Sequence, residues 1–178
     1  MKVQLENIDV HAFFEYKDGQ LIWKMLPDYY AEWNVLNRLN SRFFGTRAGR
    51  LNKRGYRDIG IWGEKYLEHR IIFFMHHGYL PKLIDHIDGN TTNNRIENLR
   101  EASQSQNAMN SKRPISNSSG CKGVVKRKNE NKWMAQITKN GKVIYLGTFK
   151  RFEDAVKARI DATKLHHGEY ANFDGVSV

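Results

Sequence analysis

The chain has 178 residues, room for one ordinary domain or two small ones, each with a modest core. Hydrophobics at 40% and aromatics at 12% argue against disorder. The single cysteine, Cys121, excludes an internal disulfide framework and a cysteine-built zinc site, and no apolar run approaches the ~20 residues that span a bilayer. Lys and Arg total 29 against 19 Asp and Glu, a formal +10. That balance favours an anionic partner such as nucleic acid.

The first residues, MKVQLENIDVHAFF, lack the uninterrupted apolar core of a signal peptide, so a cytoplasmic location is expected. Residues 12–24 read as a hairpin, with two aromatic-rich runs flanking the turn dipeptide Asp18-Gly19. Residues 26–40 have mixed periodicity and read as a loop or a short helix. Between 45 and 66 the glycines Gly49, Gly55, Gly60 and Gly63 punctuate short runs, and alternation through Tyr56–Ile61 suits strands. Residues 67–77 read as a helix ending at Gly78, a natural C-terminal cap. Pro81 then breaks the chain. Residues 103–111 read as a short helix with Ser103 as its N-cap.

Residues 112–120 (KRPISNSSG) are Pro-, Ser-, Asn- and Gly-rich and read as a linker between a domain over 1–111 and another over 121–178. Beyond it the pattern is β, β, β, α. Strand-like runs occupy 122–128, 133–139 and 143–149, with turns at Asn129-Glu130-Asn131 and Asn140-Gly141, and residues 152–166 follow with helical spacing. The stretch 122–170 holds twelve basic and five acidic residues. The expected class is therefore α+β.

The chemistry concentrates in residues 84–107, which read as strand, polar Gly/Asn loop, strand and helix. Phosphodiester hydrolysis needs a hard divalent cation to neutralise charge at the phosphate and the leaving oxygen, and a base to activate water. Asp85 offers a carboxylate and an Asn can offer an amide oxygen, ligands suited to magnesium or manganese. Histidine has an unperturbed pKa of about 6.5 and is substantially neutral at physiological pH, so His86 can accept a proton. Asp85 and His86 are adjacent, so both can serve one centre only where the strand ends or twists.

The words DHIDGN, NNRIENLR and SQSQN in this order resemble the HNH nucleases. The closest branch is the HNN-patterned one found in phage genomes as homing endonucleases, and the resemblance extends upstream over residues 12–111. It implies a ββα-metal fold, two strands and a helix around one divalent ion, Mg2+ or Mn2+. It assigns His86 as the general base, Asn98 as the brace of the loop, and Asp85 and Asn107 as the metal ligands. His69 and Arg70, in LEHR, also recur in the family ahead of the motif. His69 could assist at the phosphate or simply pack on its helix. His76 and His77 close a helix near its negative end and do not make a zinc site.

Residues 120–173 resemble the Apetala-type domain of plant ethylene-response factors, through Gly-Val, Trp-x-Ala-x-Ile, Leu-Gly-Thr-Phe, Glu-Asp-Ala and Gly-Glu-Tyr-Ala-x-Phe. That resemblance implies a three-stranded antiparallel sheet packed on one helix, its outer face entering the DNA major groove. Arg127 and Gln136, with Tyr145 on the same face, are the candidates for base contact. Lys122, Lys126, Lys128, Lys139 and Lys142 suit phosphates. Plant members carry several Arg and Trp on this face, where this chain has Val125, Thr138, Val143 and Tyr145.

The expected protein is a DNA endonuclease that nicks or cuts duplex DNA, as a monomer or weak dimer. It needs no membrane and no small-molecule cofactor, and it would work in the host cytoplasm if phage-encoded. A non-enzymatic, sequence-specific DNA-binding regulator is the alternative, and a nuclease acting on RNA or structured DNA is a further rival.

Overall fold

A computed structural model describes residues 3–114, 116–128 and 130–173. The chain divides into two compact units, Met1–Glu101 and Ala102–Val178. The division falls ten residues ahead of the Pro- and Ser-rich stretch, because the helix that opens the second unit is bonded inside it. The Lys122 ammonium sits 2.6–3.2 Å from Ala108, Met109 and Ser111 oxygens, Asn172 donates to the Asn110 carbonyl, and the Asn140 amide donates to Ser105 Oγ at 3.1 Å.

The first unit opens with a single helical turn, α1 (Val10–Phe13), capped by the Asp9 carboxylate, which accepts from the Ala12 amide. Strands β1 (Phe14–Lys17) and β2 (Gln20–Trp23) form the expected hairpin. Asp18 and Gly19 both have positive φ, as a two-residue turn of this hand requires. Helix α2 (Trp33–Phe43) then runs further than the mixed periodicity of residues 26–40 implies. Val35, Leu36, Leu39 and Phe43 fall at helical spacing on it, although only Leu36 is fully buried. The Asn40 carboxamide also holds the Leu26 backbone, accepting from its N–H at 2.8 Å.

Strands β3 (Arg50–Leu51), β4 (Arg57–Ile61) and β5 (Glu64–Leu67) make an antiparallel sheet, followed without a loop by α3 (Glu68–His77). Helix α3 ends at Gly78 in the left-handed conformation, as expected. Its Ile71, Ile72 and Phe73 pack with Phe14, Leu21, Ile59 and Leu99 into one core. Strands β6 (Ile84–His86) and β7 (Leu99–Glu101) pair antiparallel across the polar loop.

The second unit begins with α4 (Gln104–Asn110), whose Ser103 cap and Gln106 side chain satisfy each other's backbone amides. Strands β8 (Val124–Arg127), β9 (Lys132–Lys139) and β10 (Lys142–Phe149) form an antiparallel sheet in the order β10-β9-β8, and α5 (Phe152–His167) packs on it. Its core holds Cys121, Val124, Ala135 and Ala155, with Trp133, Leu146 and Phe149 against it. A bulge between Tyr145 and Gly147 breaks the alternation of β10. Asn129 of the expected β8–β9 turn lies outside the described residues. Among the described residues no helix is long and apolar enough to cross a membrane.

Candidate active site

Asp85 and His86 close the short strand β6. Asp85 lies directly opposite Arg100 on β7, and its Oδ2 accepts from Arg100 Nε at 2.9 Å and from Nη2 at 2.8 Å. This is a two-nitrogen grip on a nearly buried carboxylate. His86, the last residue of the strand, is 5% exposed. Its Nε2 is 2.8 Å from Asn94 Oδ1.

Asn94 is itself fixed. Its Nδ2 donates to Glu68 Oε2 at 2.7 Å, and the other oxygen of Glu68 accepts from the Leu21 amide at 3.2 Å. Glu68 is fully buried and Asn94 is 1% exposed. A carboxylate accepts only, so Asn94 must turn its nitrogen to Glu68 and its oxygen to His86. The oxygen in turn needs a donor, so His86 carries its proton on Nε2. Nδ1 is left as the lone-pair nitrogen of the ring. Burial raises the pKa of Glu68, while the Leu21 amide, Asn94, Arg47 and Arg57 pull it down, and the burial prevails.

Tyr56 and His69 complete the wall. The His69 ring lies 5.1 Å from that of His86 and 5.4 Å from that of Tyr56. Burial, then the neighbouring His86 and Arg70, push the His69 pKa down to about 3. His69 is therefore a neutral imidazole at any working pH. Arg70 donates to the Pro81 carbonyl at 3.3 Å, which ties down the chain entering β6. His76 bonds the Ile72 carbonyl and His77 stacks on Phe73, both within the last turn of α3.

Asn98 sits where the loop returns. Its Oδ1 accepts from the Asp88 amide at 3.0 Å, its Nδ2 donates to the Asn93 carbonyl at 2.7 Å and to Asp88 Oδ1 at 2.9 Å, and its own carbonyl accepts from Ile87. Burial pushes the Asp88 carboxyl up, but hydrogen bonds from Asn93, the Asn90 amide and Asn98 outweigh it and hold the pKa low. The loop is thus a closed polar knot immediately after His86. Asn107 lies exposed on α4 of the second unit, its amide bonded to the Ser103 carbonyl.

Sequence reading missed Glu68, Asn94 and Tyr56. Asn94 stands in a run of Asn that serves equally well for turns, and Glu68 bonds Asn94 across 26 residues and Leu21 across 47. The one local signal was an acidic residue set just before His69 at the head of a helix whose middle, Ile71–Met75, is apolar.

The sheet of the second unit turns Arg127, Gln136, Val143 and Tyr145 to the face away from α5, because directly paired residues share a face. Arg127 is held by Glu130 at 3.2 Å, and the Tyr145 hydroxyl lies 2.7 Å from Thr148 Oγ1. Lys128 and Lys142 are exposed. Two of the lysines have partners inside the unit. Lys126 pairs with Trp133 and places its ammonium 5.7 Å from that ring, on the α5 side of the sheet. Lys122 is spent on the last carbonyls of α4.

Residues 66–109 match the HNH endonuclease family. Protein 3.8 of Escherichia phage T7 is 39% identical over 99 residues, covering 54% of this chain and 80% of the relative. The chain belongs to the family of this phage protein and carries an HNH endonuclease domain. A second relative, an uncharacterized HNH endonuclease of Acanthamoeba polyphaga mimivirus, is 39% identical over 93 residues, or 51% of this chain. The chain spans about half of that relative's length (47%). No solved structure matches. The HNH domain implies a nuclease with a nucleic acid substrate, and its span takes in Glu68, His69, Asp85, His86, Asn94, Asn98 and Asn107.

Proposed function

We propose that this protein is a metal-dependent endonuclease of the homing type that hydrolyses phosphodiester bonds in duplex DNA. The observation that carries the reading is the buried series Glu68–Asn94–His86. It holds an imidazole in one orientation and one tautomer, with a lone-pair nitrogen to take a proton from water. The same orientation by a fixed third group marks activated bases in general.

The two donors that the motif assigns are of the kind a hard divalent ion takes. Among the described residues no three His, Cys, Asp or Glu form a metal-holding group. One carboxylate, Asp85, and one carboxamide, Asn107, are oxygen donors of the kind magnesium takes while drawing its other ligands from water and phosphate. When bound, such an ion neutralises charge developing at the phosphate. The rest belongs to the chain: His86 accepts the proton of the attacking water, Asn94 and Glu68 keep the ring aimed, and Asn98 fixes the loop that follows it. Arg100 holds Asp85 Oδ2 by charge and two hydrogen bonds.

The second unit is proposed to be an Apetala-type DNA-binding module. Its order β, β, β, α, its sheet packed on α5 and its basic composition support that reading. A linked second contact would raise the effective concentration of DNA at the nuclease. A binding regulator without cleavage is favoured by one observation, that Arg100 already occupies Asp85 Oδ2.

Incubation of supercoiled plasmid with the protein separates the two. The nuclease reading expects nicking with magnesium, none with EDTA, and a loss of at least ~100-fold in His86→Ala with DNA binding retained. Binding without metal-dependent nicking in the wild-type protein would leave the regulator.

A further inference from the structure

The first unit carries a second concavity between α2 and the strands β2 to β4, which meets the recess beside Glu68 and Asn94 at Arg47. Its volume is about 650 Å³, within the roughly 300–1,000 Å³ of small-ligand sites. Trp23, Tyr30, Leu36, Phe43 and Trp62 line it. The aromatic rings are mutually tilted and open on one side: Tyr30 lies 6.2 Å from Trp62 at 38°, and Phe13 meets Trp62 edge-on at 5.3 Å. Four cations, Lys24, Arg42, Arg47 and Arg50, share the groove with one carboxylate, Asp58. That carboxylate is engaged by the Asn52 side chain at 2.8 Å. The Arg42 guanidinium already stacks over Phe43, 5.1 Å from the ring centre.

Trp62 is the unusual element. It occupies the first turn position of the β4–β5 hairpin with φ of 49°, followed by Gly63 at 81°. A two-residue turn of this kind selects Asn or Gly there, and a bulky residue with positive φ is rare. Yet an indole stands there, 54% exposed, over a groove of rings and arginines. Apolar packing does not account for an indole left half in water.

We propose that this groove binds unstacked bases of a single-stranded stretch of nucleic acid, the rings of Tyr30 and Trp62 taking base faces and Arg42 and Arg50 the flanking phosphates. The choice of ligand rests on the nuclease reading. The groove itself favours a polyanion with flat faces over an apolar protein segment, because its rim is a cationic excess. Base pairs stacked in a duplex do not offer their faces to a recess of this kind, so the substrate class is a strand opened or displaced from the duplex.

The test uses the full chain in EDTA, so that no cleavage occurs. Oligothymidylate is titrated against intrinsic tryptophan fluorescence, with a blunt duplex of equal length as comparison. Quenching by the single strand is expected. Trp62→Asn keeps a residue that tolerates the turn and removes the ring. It should weaken oligothymidylate binding roughly tenfold and leave duplex affinity unchanged. Arg42→Gln should lower the salt slope of single-strand binding by about 0.7. Unchanged single-strand affinity in both variants, with folding confirmed by circular dichroism, overturns the proposal. Plasmid nicking in magnesium reports the nuclease reading separately. Nicking that persists without single-strand binding sinks the groove alone, and quenching in a protein that never nicks upholds it.

Discussion

Replacing Asn94 by Leu, a residue of similar size, would cut the series that aims His86. Two buried partners lose their bonds. Glu68 Oε2 loses a donor at 2.7 Å and the His86 N–H loses an acceptor at 2.8 Å. A hydrogen bond to a charged group contributes about 1.5–3 kcal/mol, and a buried donor left unsatisfied costs about 1–3 kcal/mol. Together the loss is about 4 kcal/mol, a large share of the ~5–15 kcal/mol that holds a domain folded. The urea midpoint should fall accordingly. Plasmid nicking by the fraction still folded should fall at least ~100-fold, since a positioned base contributes roughly 10²–10⁴-fold. Nitrogen-15 spectra of the wild-type imidazoles give an independent reading, with the His86 proton expected on Nε2. A proton on Nδ1 instead, or wild-type nicking by folded Asn94→Leu, would refute the reasoning.

Three further outcomes are expected. The His69 pKa of about 3 lies below the ordinary value near 6.5, so its contribution to stability is complete above pH 6.5 and is lost as pH falls toward 3, while the unfolded chain takes up the proton. About 2 kcal/mol should go between pH 6.5 and 5. The raised Glu68 pKa works in the opposite direction, so the urea midpoint of His69→Phe against wild type at pH 7 and pH 5 isolates the histidine. Lys122→Met should destabilise the second unit by about 2 kcal/mol in thermal melts while leaving the salt dependence of DNA binding unchanged, the reverse of what a phosphate contact would give. Gly123→Ala should cost at least about 3 kcal/mol, because φ is +81° and an added Cβ would lie 2.4 Å from the Gln136 carbonyl. Circular dichroism of the urea transition measures it.

The elements most legible in the sequence are those whose signals are local. Asp18-Gly19 and Asn140-Gly141 announce turns because positive φ selects those residues. Gly78 marks the end of α3 for the same reason, and Ser103 with Gln106 marks the start of α4. The adjacent pair Asp85-His86, the loop and Asn98 were also readable, since the motif is contiguous. Helix α2 was not legible in full, for the window over residues 26–40 mixes its stripe of Val35, Leu36 and Leu39 with the irregular turn at Asp28–Tyr30 and stops short of Phe43. Nor were Glu68 and Asn94 as partners, because a hydrogen bond between residues 26 apart leaves no trace in spacing. The bulge at Leu146 shifts the alternation of β10, and its one local sign is Gly147, which stands inside the strand with φ of 136°. Lys122 and Lys126 read as two more basic residues in a basic stretch. Only the fold shows the first capping a helix and the second lying over Trp133.

The first hairpin belongs to the nuclease as firmly as the motif does. Gly19 is pressed against the loop, where an added Cβ would lie 2.6 Å from the Arg95 amide nitrogen. The Leu21 amide is the donor that seats Glu68, and the Tyr16 hydroxyl accepts from the Ile96 amide at 3.1 Å. A segment cut to residues 66–109 would shed all three and leave Glu68 and Asn94 facing water. Recombination that shuffled such segments between genomes could therefore not trade the motif by itself. The smallest heritable unit that keeps its imidazole aimed reaches back to the hairpin near the amino terminus, more than 40 residues ahead of the recognisable pattern.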